Sequence, residues 1–152
     1  MRMDLQSLAI YGALAPILFL LGKSARKRES RGTVWLMALL PSLVAGLRNV
    51  SVGIDTATYD AAFTLIERGH TEQVFGLERG FVAVWALLLR LWDSHGFLFF
   101  VFAFASYALL FFRLWQERAR LSFPWAALAL YIGFYPFSLN GMRQFLAAAL
   151  VV

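Results

Sequence analysis

Basic residues in this chain gather where apolar runs stop, and that arrangement limits the fold more than any motif does. The segment GKSARKRESRG sets Lys23, Arg26, Lys27, Arg28 and Arg31 against one acid, Glu29. Before it lies LQSLAIYGALAPILFLL, about Leu5 to Leu21; after it a second apolar run extends from about Val34 to Leu47. The hydrocarbon of a bilayer is ~30 Å thick, so a helix of ~20 mostly apolar residues crosses it. A short loop this basic stays on the cytoplasmic side. The N-terminus is therefore predicted outside, and the second run climbs back outward. A cleavable signal peptide fits less well. Arg2 is offset by Asp4, and the strong positive cluster follows the apolar run instead of preceding it.

Composition agrees. Of the 152 residues 61% are hydrophobic and 15% charged, where a soluble domain carries about 45–50% and about 25%. Too little polar surface remains to dissolve such a chain. The net charge of +5 sits beside apolar runs, which reads as topology and not as a phosphate-tracking patch, so no nucleic-acid partner is expected. With no cysteine and only His70 and His95, no metal cluster is expected either.

Further along, FLFFVFAFASYALLFFRLW (about Phe97 to Trp115) and FPWAALALYIGFYPFSL (residues 123–139) read as spans. Arg113, Arg118 and Arg120 between them again mark the cytoplasm. The intervening stretch, about residues 48–96, is predicted as an extracytoplasmic loop. Within it Tyr59, Ala62, Phe63 and Ile66 recur at helical spacing, the pattern of an amphipathic helix at the interface. FVAVWALLLRLW, Phe81 to Trp92, is short and interrupted by Arg90, so it is predicted interfacial or re-entrant. A span there would send Arg118 and Arg120 outside. GMRQFLAAALVV opens a further apolar helix, and the sequence stops inside it. The expectation is an all-α, polytopic transmembrane protein. About four full spans (5–21, 34–47, 97–115, 123–139) and the start of a fifth (142–152) would form the N-terminal part of one longer membrane domain.

Against this background GLRNVSVGIDTATYDAAF, Gly46 to Phe63, is anomalously polar. In the predicted topology Arg48, Asp55, Tyr59, Glu78, Arg79, Asn140, Arg143 and Gln144 all fall on the outer side. Charges beside hydrocarbon are costly and usually face a cavity, a partner or a substrate. Arginine offers a diphosphate a planar fork of donors that stays charged. Gly53 lets the backbone turn tightly against a ligand. Asp55 and Glu78 can orient the arginines or act as general acid or base, and Asn140 and Gln144 can donate to sugar hydroxyls. Plainer readings stand beside these. Arg48 and Arg143 can snorkel to headgroups, and Asp55 before Thr56 can cap a helix. Glu78 and Arg79 can form a solvated pair worth about 0–1 kcal/mol, and Tyr59 can belong to an interfacial aromatic belt. His70 and His95 are expected in exposed polar turns without a catalytic role. The Phe and Trp runs are expected to pack or to face lipid.

Three blocks in order, GLRNVSVGIDTATY, ERGF and SLNGMRQFLAAAL, resemble the signature blocks of the EpsG family of exopolysaccharide polymerases. These are Wzy-type, O-antigen-polymerase-like proteins of bacterial capsule and exopolysaccharide clusters. The family pattern is an LR…G.D…Y…F block after the second span, then E.GF, then N..RQ opening a further span. The resemblance runs from about Gly46 onward. It implies a multi-pass protein of the bacterial cytoplasmic (inner) membrane that polymerises lipid-linked repeat units by glycosyl transfer at the outer face. The implied partners are an undecaprenyl-diphosphate-linked glycan, membrane lipid and other polysaccharide-assembly proteins, and no cofactor is implied. Arg48, Gly53, Tyr59, Asn140, Arg143 and Gln144 fall on the family's positions as substrate-binding residues, Asp55 and Glu78 as catalytic ones. Two departures stand out: Arg79 replaces the usual proline of the E.GF block, and the later spans are absent. The alternative from another class is a transporter or flippase for polyprenyl-diphosphate-linked sugars, using the same arginines without making a bond.

Because the chain lacks cysteine, introduced thiols report its topology without background. S51C is expected to react with an impermeant maleimide on intact cells, and S24C and S122C only after lysis. The opposite labelling pattern would invert the orientation.

Overall fold

The computed structural model describes residues 5–47, 56–74, 76–140 and 142–151, and these residues hold seven α-helices and no strand. In chain order they are α1 (Leu5–Arg28), α2 (Arg31–Leu47), α3 (Thr56–Glu67), α4 (Arg79–Leu91), α5 (His95–Gln116), α6 (Phe123–Asn140) and α7 (Met142–Val151). A 3₁₀ turn at Thr71–Gln73 lies between α3 and α4. Among the described residues α5 is the one helix long and apolar enough to cross a bilayer. Its 22 residues reach about 33 Å. α2 and the 123–134 part of α6 are apolar but shorter.

The basic segment after the first apolar run is helix and not loop. α1 continues through Lys23, Arg26 and Lys27 to Arg28, leaving only Glu29 and Ser30 before α2. Lys and Arg are good helix formers, and in a last turn they meet the negative end of the helix dipole. Glu29 takes the left-handed conformation (φ 50°), and Ser30 N–H donates to Ala25 C=O at 3.1 Å. This bond pattern closes α1 as a Schellman motif. Ser30 Oγ then accepts from Thr33 N at 3.3 Å and caps α2.

α1, α2, α5 and α6 pack as antiparallel neighbours, α2 most extensively on α5 and α1 on α6. Leu18, Val34, Met37, Tyr107, Phe111 and Phe123 are fully buried in the shared core. Tyr131 spends its hydroxyl on Tyr11 C=O at 2.9 Å, tying α6 to α1. The buried Ser42 and Ser106 hydroxyls donate one turn back, to Ala38 C=O at 2.7 Å and Phe102 C=O at 2.8 Å. Neither is left unsatisfied in an apolar surrounding. The outward surface is apolar as well, with Leu20, Trp125 and Ile132 exposed.

Two contacts define the ends of the bundle. At one end Arg26 Nη1 donates to Leu121 C=O at 2.9 Å and also meets Arg118 C=O. The two basic turns therefore share that end. At the other end α2 and α5 touch backbone to backbone through Gly46 and Gly96, with Gly46 C=O against Gly96. α7 lies along α5, its Phe145 ring 5.2 Å from that of Tyr107.

A Cβ on Gly46 would meet Phe100 Cβ at 2.8 Å and Gly96 C=O at 2.9 Å. G46V is expected to cost about 1–3 kcal/mol through overpacking, seen as a lowered thermal midpoint in detergent. G12A, with nothing within 4 Å of the new methyl, is expected to leave the midpoint unchanged or raise it.

Candidate functional site

The Gly46–Gly96 end of the bundle is where α3 and α4 pack. The α3 residues spaced for one helical face, Tyr59, Ala62, Phe63 and Ile66, are the buried ones. They form a second apolar cluster with Val82 and Trp85 of α4 and with Leu98, Phe99 and Phe102 of α5. Its rings meet mostly edge-on or tilted: Tyr59 lies 5.9 Å from Trp85, and Phe81 lies 4.8 Å from Phe102. α3 thus lies on the first half of α5 because its apolar stripe matches a largely aromatic one there.

α5 starts sharply. Ser94 is extended and its side chain accepts from Phe97 N–H at 3.5 Å, a serine N-cap. α4 starts at Arg79, preceded by Glu78 as N-cap residue in extended conformation. Between the 3₁₀ turn and α4 opens a cleft of about 660 Å³ whose lining includes Glu72, Leu77, Arg79 and Val82. A smaller apolar groove of about 250 Å³ runs beside the glycine crossing, between Leu43 and Leu47 of α2 and Phe97 and Phe100 of α5.

Of the residues singled out from sequence, Arg48, Gly53 and Asp55 lie outside the described residues. Both ends of their segment are fixed at this end of the bundle: α2 stops at Leu47, one residue beyond the glycine crossing, and α3 starts at Thr56. Tyr59 is 3% exposed and belongs to the aromatic packing. Glu78 and Arg79 are exposed at the start of α4. Asn140 closes α6, Arg143 lies in the first turn of α7, and Gln144 beside it is exposed. Phe145 packs at Tyr107, about 18 Å of helix below His95. The α7 start therefore lies well down the length of α5, at a deeper level than the α2–α3 junction.

The histidines divide. His70 is exposed, with Nδ1 3.7 Å from Glu72 Oε1, in keeping with an exposed turn. His95 is not in an exposed turn. It is the first residue of α5, and its Nδ1 lies 2.5 Å from Asp60 Oδ1 of α3. The Phe63 ring is 3.5 Å from the imidazole, tilted by 32°. Nδ1 itself is shut off from solvent and makes no well-formed hydrogen bond, so the contact is a close approach of ring nitrogen and carboxylate oxygen. Asp60 and Phe63 stand three residues apart and so share one side of α3. A partner that stacks on Phe63 thereby reaches Asp60. That spacing is the only sequence signal for the pair, and it does not say which residue of α5 will be the partner.

A family model, that of the EpsG family, matches residues 33–152, which takes in α2 to α7 and all three sequence blocks. No curated protein and no solved structure matches the chain.

Tyr59 tests packing against recognition. Y59A is expected to destabilise by about 3–5 kcal/mol, as large aromatic truncations in a core do, and Y59F is expected to leave thermal stability in detergent unchanged.

Proposed function

The chain belongs to the EpsG family, and on that premise we propose that it polymerises lipid-linked oligosaccharide repeat units in bacterial exopolysaccharide or capsule synthesis. The reaction is glycosyl transfer at the extracytoplasmic face of a multi-pass protein in the cytoplasmic membrane. Arg48 and Arg143 grip the diphosphate of a polyprenyl-linked donor and stabilise the negative charge that grows as it leaves. Asp55 and Glu78 orient the arginines or accept a proton. Gly53 lets the chain pass close to the headgroup. Asn140 and Gln144, on either side of Arg143 in the chain, offer donors to the sugar next to the diphosphate, while Tyr59, 3% exposed, serves packing instead.

The observation that carries this reading is the separation of charge between the two ends of the bundle. Arg26 bonds to the turn after α5, so the basic turns 26–31 and 117–121 share one end. The ends of the 48–55 segment and Asp60 lie at the other. Positive turns on the cytoplasmic side leave the polar site facing out, where a carrier lipid offers its glycan. The apolar outward faces of α1 and α6, with Leu20, Trp125 and Ile132 exposed, suit contact with lipid.

The experiment is to assay polymer length with R48A, R48K, R143A and R143K. Each alanine variant is expected to lose about 100-fold or more in rate, and lysine to recover only part of it because it lacks the fork. Polymer of normal length from all four would overturn the diphosphate grip. Polymer formed by purified protein in detergent, with no membrane to cross, would exclude a flippase.

A further inference from the structure

We propose that His95, held by Asp60, is the base that takes the proton of the attacking sugar hydroxyl; this rests on the polymerase reading above. The pair is made by two helices 35 residues apart in sequence, with His95 Nδ1 2.5 Å from Asp60 Oδ1. Nδ1 faces the carboxylate and is closed to solvent, yet the side chain as a whole is 32% exposed. Solvent reaches other atoms of the side chain, and among the described residues no hydrogen bond engages Nε2. Phe63 covers one face and limits how the ring can turn. A carboxylate against one edge of the ring, with no partner on the other, is an arrangement that can orient an imidazole and use Nε2 as an acceptor.

Location agrees with the role. Gly46 and Gly96 bring the end of α2 against the residue next to His95. Asp60 lies one turn into α3. The end of α2 and the start of α3 thus both lie near this pair. Along α5 the pair lies about 15 Å of helix from the level of residue 143. Among the described residues the groups facing the ring are few. α3 brings Asp60, and α2 faces this end with Leu43, Gly46 and Leu47, none of them titratable. α4 packs lower through Phe81 and Trp85, with Arg79 and Arg90 exposed. Asp93 lies two residues upstream on the same strand of chain.

In the step itself the acceptor O–H bond breaks and its proton passes to Nε2. The oxygen forms a bond to the anomeric carbon of the donor, and the bond from that carbon to the carrier phosphate oxygen breaks. The electron pair leaves with the diphosphate, where Arg48 and Arg143 meet it, and the proton on Nε2 returns to solvent. Asp60 balances the charge of the imidazolium and keeps the ring in place, so it is a positioning residue. Asp55 and Glu78 are then left to orient the arginines.

The test uses purified protein and a polyprenyl-diphosphate-linked repeat unit in detergent, with initial rates taken across pH. H95Q is expected to lose about 10²–10⁴-fold in rate with its thermal midpoint retained. Any fall in rate that protonation of a base causes is expected to vanish in it. Added imidazole is expected to restore part of the activity of H95A, which a merely structural histidine would not allow. D60N is expected to lose less than H95Q, and D60E to recover toward wild type. A rate and a pH profile in H95Q like those of the wild type would overturn the proposal. Should H95Q lose its fold, D60N, which keeps the shape of the pair, decides in the same way. No polymer from the wild-type protein would instead overturn the polymerase reading. Polymer lost in R143A but kept in H95Q would remove the base and leave that reading intact.

Discussion

Backbone contact between α2 and α5 at Gly46 and Gly96 sets the geometry on which the rest of the bundle depends. Gly46 C=O presses on Gly96, and any Cβ at either position would push the helices apart. In an apolar solvent, helices gain little from hiding apolar surface from one another, so close approach through small residues matters more. The crossing holds the end of α2 against the start of α5. From there the Ser94 cap, His95 and the aromatic stripe of Leu98, Phe99 and Phe102 present themselves to α3. Loosening that crossing would move the floor on which α3 rests.

The far end is organised by a different force. Arg26 on α1 serves the carbonyl of Leu121, and Arg118 stacks over Trp115 at 4.6 Å. These basic residues close helix ends and also, in the proposed orientation, hold that face in the cytoplasm. Two of their duties, satisfying carbonyls and fixing topology, are met by the same side chains. Away from that end, Asp60 lies against His95 and Glu78 stands just before α4.

Together these constraints seat α3 on the start of α5 and lay α4 and α7 along its length. Phe81 of α4 meets Phe102 and Phe145 of α7 meets Tyr107, about 8 Å of helix apart on α5.

Sequence alone determined the all-helical class, the EpsG resemblance and the buried face of α3, because each rests on local periodicity or on short blocks. Spacing of Tyr59, Ala62, Phe63 and Ile66 is enough to name a face, since a helix repeats every 3.6 residues whatever surrounds it. Helix ends were less legible: Lys23 to Arg28 looked like a loop by charge, yet lysine and arginine extend a helix readily and Glu29 closes it in a left-handed turn. Pairing across the chain was not legible at all. His95 looked like an exposed turn residue, and only the seating of α3 on α5 carried Asp60 to it. Nor does any local pattern say that α7 starts partway down α5. Such distances are set by how side-chain volumes interlock between helices, glycine against glycine and ring against ring, and that sum is made only in three dimensions.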